Sequence, residues 1–397
     1  MFIIPCFNVE KGLDTLPVLG MFRFKEGDTK GKTAWLILGC LIVLAVMFTS
    51  CSSPIPGGSD DTSSVTGTAV YSQSGGTVTK SDQAITASEQ DESAVIITDS
   101  GVFTLTDSTV YKSGDTSSLD DFSFYGLNAA ILAESGSKIT LSDVMITTTG
   151  SGANGVFATG EGSTIDLTNV TIDCTNTGAH GVDATLAGIL NLVNVDITTA
   201  GNGASAGIAT DWGGGTITVT GGTVSTSGTK SPPIYSTGEI TVTGATMEAT
   251  NSEAVAIEGK NSVTLTDTTI SGATGLGRSH LSEHVRRCRS GYRPFYDDRW
   301  YANGRRRPLF YTTNTQAVIN LEGATLVNPS GILLKASAGD WGTSGSNGAG
   351  VAFTADGEAL HGDIVCDSIS TVNLIPNNST TLEKVVSMRN IRPNRLL

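Results

Sequence analysis

The sequence predicts an all-β solenoid, and three observations predict it. A nine-residue phrase returns along the chain as VFTLTDSTV, KITLSDVMI, TIDLTNVTI, ILNLVNVDI, TITVTGGTV, EITVTGATM, SVTLTDTTI and VINLEGATL. Within each phrase apolar residues alternate with Thr, Ser or another polar residue, the period-two signature of a strand with one buried face. The composition agrees: 48 Gly among 397 residues, 16% charged and 6% aromatic, argues against a helix-rich or α/β domain, in which about a quarter of residues are charged.

The central Leu or Val of each phrase serves as a register mark: Leu105, Leu141, Leu167, Leu192, Val219, Val242, Leu265 and Leu321. Successive marks are 36, 26, 25, 27, 23, 23 and 56 residues apart, and the last gap is twice 28, so one coil is owed there. A phrase of this length cannot bury its apolar side alone and must stack on its neighbours. Each coil then carries three short strands, as in GVFA at 155–158, STIDL at 163–167 and VTIDC at 170–174. The LxxLxLxxN consensus of leucine-rich repeats is absent. The pattern resembles the right-handed parallel β-helix family over residues 65–276 and 310–375. The resemblance implies a right-handed parallel β-helix of 23–28 residues per coil across residues 65–383, preceded by an N-terminal signal or anchor helix. At a strand spacing of about 4.8 Å, about twelve coils make a rod of roughly 60 Å. Two residues past each mark stands Asp107, Asp143, Asn169, Asn194, Gly221, Gly244, Asp267 or Gly323. These residue types tolerate the left-handed backbone of a sharp bend, and stacked Asn and Asp are placed to hydrogen-bond from coil to coil.

Ahead of the repeat, residues 34–48 (AWLILGCLIVLAVMF) form an apolar run preceded by Arg23, Lys25, Lys30 and Lys32. This is the layout of a secretion signal, short for a bilayer span of about 20 residues. Phe48-Thr49-Ser50-Cys51 resembles a bacterial lipobox, with Cys51 as the lipidated residue and Phe48 where Leu is usual. Residues 1–50 therefore read as an extension and a lipoprotein-type signal, with Met21 as an alternative start, and a retained single-pass anchor is the competing reading. Residues 51–64, rich in Ser, Gly, Pro and Asp, form a flexible tether. Either reading places the rest outside the cytoplasmic membrane, held by a lipid or an N-terminal helix.

The net charge of −14 is unevenly spread. Residues 277–309 carry nine Arg against three acids, and residues 384–397 carry one Lys and three Arg. Outside these two segments and residues 1–50, the chain has six Lys, no Arg and 31 acids. So acidic a surface repels phosphate backbones and excludes nucleic acid as a partner. The block at 277–309 has two readings: a basic, aromatic-interleaved insertion that binds an anionic polymer, or a compensated frameshift, since Gly and Ala codons read out of phase yield Arg. The tail at 384–397 has the same texture. Beyond the N-terminal segments, Cys174, Cys288 and Cys366 are widely scattered and form no disulfide framework or CxxC pair.

Many parallel β-helix proteins are polysaccharide lyases or hydrolases, and the resemblance therefore implies a catalytic set as one possibility. Asp120-Asp121 supplies an adjacent carboxyl pair, and Ala179-His180-Gly181 faintly resembles the Gly-His-Gly of galacturonases, but the matching Arg-x-Lys is missing. The GxGxxG at 150–155 precedes no helix pattern and is a loop. Neither metal nor cofactor is expected. Asp211-Trp212-Gly213 and Asp340-Trp341-Gly342 each put an indole beside a carboxylate, an arrangement suited to stacking on a sugar. With no complete catalytic set, the expected function is a non-enzymatic, adhesin-like surface lipoprotein whose partners are carbohydrate or a host or cell-surface protein. The alternative is a pectinase-like hydrolase or lyase, which should show a cleft lined by acids and aromatics on one face of the solenoid.

Overall fold

The structure is a computed structural model that describes residues 2–5, 67–118, 120–259, 261–273, 307–339 and 342–383. The apolar run at 34–48, Cys51, the tether, Asp340, Trp341 and the tail at 384–397 lie outside the described residues, as does the Arg-rich block up to Arg306. Among the described residues no helix is long and apolar enough to cross a membrane.

Each coil contributes three strands. One turn runs through Thr164–Thr168, Thr171–Cys174 and Val182–Thr185, and the next through Ile189–Val193, Asp196–Thr199 and Ile208–Thr210. Equivalent strands of successive coils pair in parallel, aligning Ile165 with Leu190, Ile172 with Ile197 and Val182 with Ile208. The result is a parallel β-helix with three faces, called first, second and third in chain order. Phe2–Pro5 pairs antiparallel with the first-face strand Thr371–Asn377.

The eight register marks stack on one another in order, Leu105 on Leu141, Leu141 on Leu167, and so on to Leu265 on Leu321. That last pairing overturns the expectation of an owed coil. Leu265 pairs with Leu321 directly, Ile270 with Leu326, and Val255 with Phe310, so no coil intervenes on any face. The extra chain leaves after Thr269–Ser271 and returns at Arg307, between the second and third faces. There Arg307 donates to Glu253 at 3.1 Å in a fully buried ion pair, and the Leu309 carbonyl accepts the amides of Ala254 and Val255. The 36-residue gap between Leu105 and Leu141 has the same origin, since its surplus also sits at this corner and holds the short helix Asp121–Phe124.

All eight predicted bend residues have a left-handed backbone, with φ from 48° at Asp267 to 68° at Gly221. Asn169 Nδ2 donates to Asp143 Oδ1 at 3.2 Å, so the corner is stitched from coil to coil as the sequence suggests. Inside, Phe103, Ile139, Ile165, Leu190, Ile217 and Ile240 form one continuous column in a single apolar core. Burial of each such side chain contributes about 1.5–3 kcal/mol.

The third face breaks this regularity. First-face strands such as Thr216–Thr220 alternate exposed and buried residues, whereas Val156–Thr159 and Val182–Thr185 are buried throughout. The outward Phe157 of the first of these strands belongs to a separate apolar cluster, in which it packs with Ile96, Leu132 and Ala129, whereas the outward Asp183 and Thr185 of the second are buried polar residues. The surplus loop around Asp121–Phe124 lies over this face: Asn154 Nδ2 donates to the Phe122 carbonyl and Thr185 Oγ1 to the Phe124 carbonyl. Gly126 is confined to glycine by a φ of 76° and because a Cβ there would lie 2.7 Å from Leu132 and Phe157.

Candidate functional site

Beyond Phe157, the outward positions of the third face stop being apolar. Register places Asp183 above Phe157, then Ala209, then Tyr235. One position further along the strands come Asp211, Thr237 and Glu258. A cavity of about 600 Å³ opens over this column. Its walls include Phe124 from the loop, His180 from the corner before Asp183, Asp211 and Trp212 from the end of Ile208–Thr210, and Tyr235 and Glu258 from the next two coils.

Trp212 is 56% exposed and its ring lies 5.4 Å from that of Phe124, tilted by 37°. The indole therefore packs on another coil's aromatic rather than on its own loop, and leaves much of its surface to solvent. Asp211 is fixed from the same loop, with Ser123 Oγ donating to its Oδ2 at 2.8 Å. Tyr235 Oη donates to Glu258 Oε2 at 3.5 Å, and Asn314 also hydrogen-bonds this carboxyl.

The electrostatics are set by burial. Desolvation pushes Asp211 up to about 7 and Glu258 up to about 8, the latter helped by the charge of Asp211. Asp183 is fully buried, and desolvation together with Asp211 holds its carboxyl well above the ordinary carboxylate range. Burial pushes His180 down to about 4, so its ring is neutral. Its Nδ1 accepts the Ala206 amide at 3.0 Å, which assigns the ring proton to Nε2. Donor atoms of His180, Asp183 and Asp211 all lie within 4.8 Å of one another. No group reaches hydrogen-bonding geometry with either oxygen of Asp183 or with His180 Nε2, although the neighbouring Ala184 amide partly offsets the desolvation of Asp183.

Of the residues singled out in the sequence, the structure thus brings His180, Asp211 and Trp212 to one cavity. Asp120 and Asp121 start the short helix and are absent from the cavity lining; Asp120 is exposed and Asp121 half-buried. Asp183, Tyr235 and Glu258 join them in or beneath the cavity, and for the two acids the sequence carries a signal. In GVDAT and VAIEG an acid interrupts an apolar run that does not alternate. Among the cysteines, Cys174 is a buried free thiol pushed up to about 12 by desolvation, donating to the His180 carbonyl at 3.4 Å. Cys366 is disulfide-bonded.

No protein-family profile matches the chain, and neither a curated protein nor a solved structure matches it. The functional reading therefore stands on the cavity and the sequence.

Proposed function

We propose that the protein is a surface-displayed glycan-binding β-helix, and that the cavity over the third face is its binding site. The observation that carries this reading is the half-exposed Trp212 braced against Phe124 at the rim, with Asp211, Tyr235 and Glu258 beside it. A sugar ring offers an apolar C–H face and a fringe of hydroxyls. An indole takes the first and fixed carboxyl, phenol and amide groups take the second. The signal-like run at 34–48 and the lipobox-like Cys51 supply the sequence support for display outside the membrane on a lipid or helical anchor.

A second reading, glycan cleavage, has one observation in its favour. An acid catalyst must keep its proton near neutral pH, and Asp211 and Glu258 are both pushed into the range where a carboxyl does so. The experiment that separates the two is a glycan microarray followed by reducing-end analysis of every bound glycan. Binding that falls at least tenfold in Trp212→Ala, without release of new reducing ends, supports recognition alone. New reducing ends lost in Glu258→Gln would establish cleavage. Binding unchanged in Trp212→Ala would remove the site from the cavity.

A further inference from the structure

Beneath the cavity the chain buries a set of polar atoms that satisfy nothing within the protein. Asp183 is fully buried on the outward side of Val182–Thr185, and both its oxygens lack hydrogen-bond partners. His180, three residues earlier and only 2% exposed, presents an unpartnered Nε2 to the same spot. Asp211 closes the group from the next coil, all three within 4.8 Å. A buried polar group without a partner is destabilising, and a buried unpaired charge far more so. The fold tolerates such a group where something else completes it.

A proton on Asp183 removes the charge but leaves an O–H donor and a carbonyl oxygen still without partners. A divalent cation offsets the charge of both carboxylates and engages the free oxygens together. The orientation of His180 decides which kind of cation. With Nδ1 accepting the Ala206 amide, Nε2 carries the proton and faces the group as a donor, so the ring cannot be a direct ligand. It is placed instead to hold a ligating carboxylate or a metal-bound water, the outer-shell role that orients ligands in metal sites. Ser123 does the same for Asp211 from the other side. Ligation by oxygen alone selects hard cations over zinc, and the cavity, which His180 and Asp211 both line, leaves room for the waters such ions retain.

We infer that Asp183 and Asp211 form an oxygen-ligated site for one hard divalent cation, calcium, magnesium or manganese, with His180 as a hydrogen-bond donor to its coordination shell. This is independent of whether the cavity binds glycan.

The test uses the full chain, stripped with EDTA and dialysed, then titrated calorimetrically in separate experiments with Mn²⁺, Ca²⁺, Mg²⁺ and Zn²⁺. One Mn²⁺, Ca²⁺ or Mg²⁺ per chain is expected, with affinity falling at least 100-fold in Asp183→Asn and in Asp211→Asn. His180→Gln should weaken binding by about tenfold and keep the stoichiometry. A triple variant removing His280, His284 and Cys288 should bind as the parent does. Circular dichroism checks folding of each variant, and if Asp183→Asn does not fold, Asp211→Asn at the cavity wall carries the test alone. Absence of binding by any of the hard cations overturns the site, as does parent-like binding in both Asp variants. A preference for Zn²⁺ abolished in His180→Gln overturns the oxygen-only assignment, and loss confined to the triple variant moves the ion elsewhere.

Discussion

The first and third faces of this solenoid are built on the same ladder and have opposite outer surfaces. On the first face the outward residues of Thr216–Thr220, Glu239–Thr243 and Ser262–Thr266 are mostly Thr, standing in solvent over a buried column of Ile, Val and Leu. On the third face the outward residues Leu132, Phe157 and Asp183 are as buried as the inward ones. A parallel β-helix needs only its inward column to fold. The outward column is therefore free to specialise, and it does so on one face, where a surplus loop covers it and the carboxyls converge.

The strongest way to break this contrast is to mutate the two outer surfaces alike. Phe157→Ala removes a fully buried ring from the cluster under the surplus loop and should cost about 3–5 kcal/mol, read as a shift in urea midpoint. A cost below about 1 kcal/mol would mean that the loop does not cover the third face as a second core does.

Next in size is a pH effect confined to the third face. Glu258 has a folded-state value of about 8 against an ordinary 4.5, because burial and Asp211 disfavour its charge. Between those values the folded state holds a proton that the unfolded chain has released, so stability declines as pH rises from about 4.5 to about 8. At about 1.4 kcal/mol per unit, the loss amounts to a few kcal/mol. The groups facing Glu258 are Asp211, the Tyr235 hydroxyl and the Asn314 side chain, with Lys230 also on the cavity wall. Melting curves in EDTA should show the melting temperature falling from pH 5 to pH 8, and Glu258→Gln should flatten that decline. Asp211, at about 7, keeps part of it in the same direction. A melting temperature that instead climbs over this interval would contradict the buried, protonated state of the cluster.

The first and second faces meet at the left-handed corner, where an effect of intermediate size is expected. Asn169 has a φ of 55° and bonds Asp143 of the preceding coil. Asn169→Ala should cost about 1–2 kcal/mol, since Ala lacks the amide and resists this backbone. Asn169→Gly should cost less, and chemical denaturation of the pair separates backbone strain from the lost hydrogen bond.

The lattice was legible in the sequence for a physical reason. Inward Leu and outward Thr alternate with period two, and the bends demand Asn, Asp or Gly, so Leu105 to Leu321 and Asp107 to Gly323 marked the first face and its corner directly. What the sequence did not carry was distance. Nothing local shows that a 56-residue gap closes onto the neighbouring coil, because an insertion at a corner and a missing coil leave the same spacing. The site was half visible. Asp211-Trp212 and His180 stood out by residue type, whereas Asp183 and Glu258 looked like two more acids in an acidic chain. Only stacking, which sets residues 26 apart onto adjacent rungs of this face, brings Asp183, Asp211 and Tyr235 together.

The smallest predicted effect tests the contrast from the other side. Thr218 and Thr241 are exposed neighbours on the first face, paired in register between Thr216–Thr220 and Glu239–Thr243. Their side chains stand on the solvent side of the paired strands, whose buried contacts come from Ile217, Val219, Ile240 and Val242 underneath. Replacing both with Ala should change stability by no more than about 0.5 kcal/mol each, because an exposed β-branched residue contributes to a sheet mainly by packing against its cross-strand partner. A double variant that loses several kcal/mol would show that the Thr ladder holds the coils together. A near-neutral result leaves that surface free for selection to use, and puts the energetic weight of the outer shell on the third face.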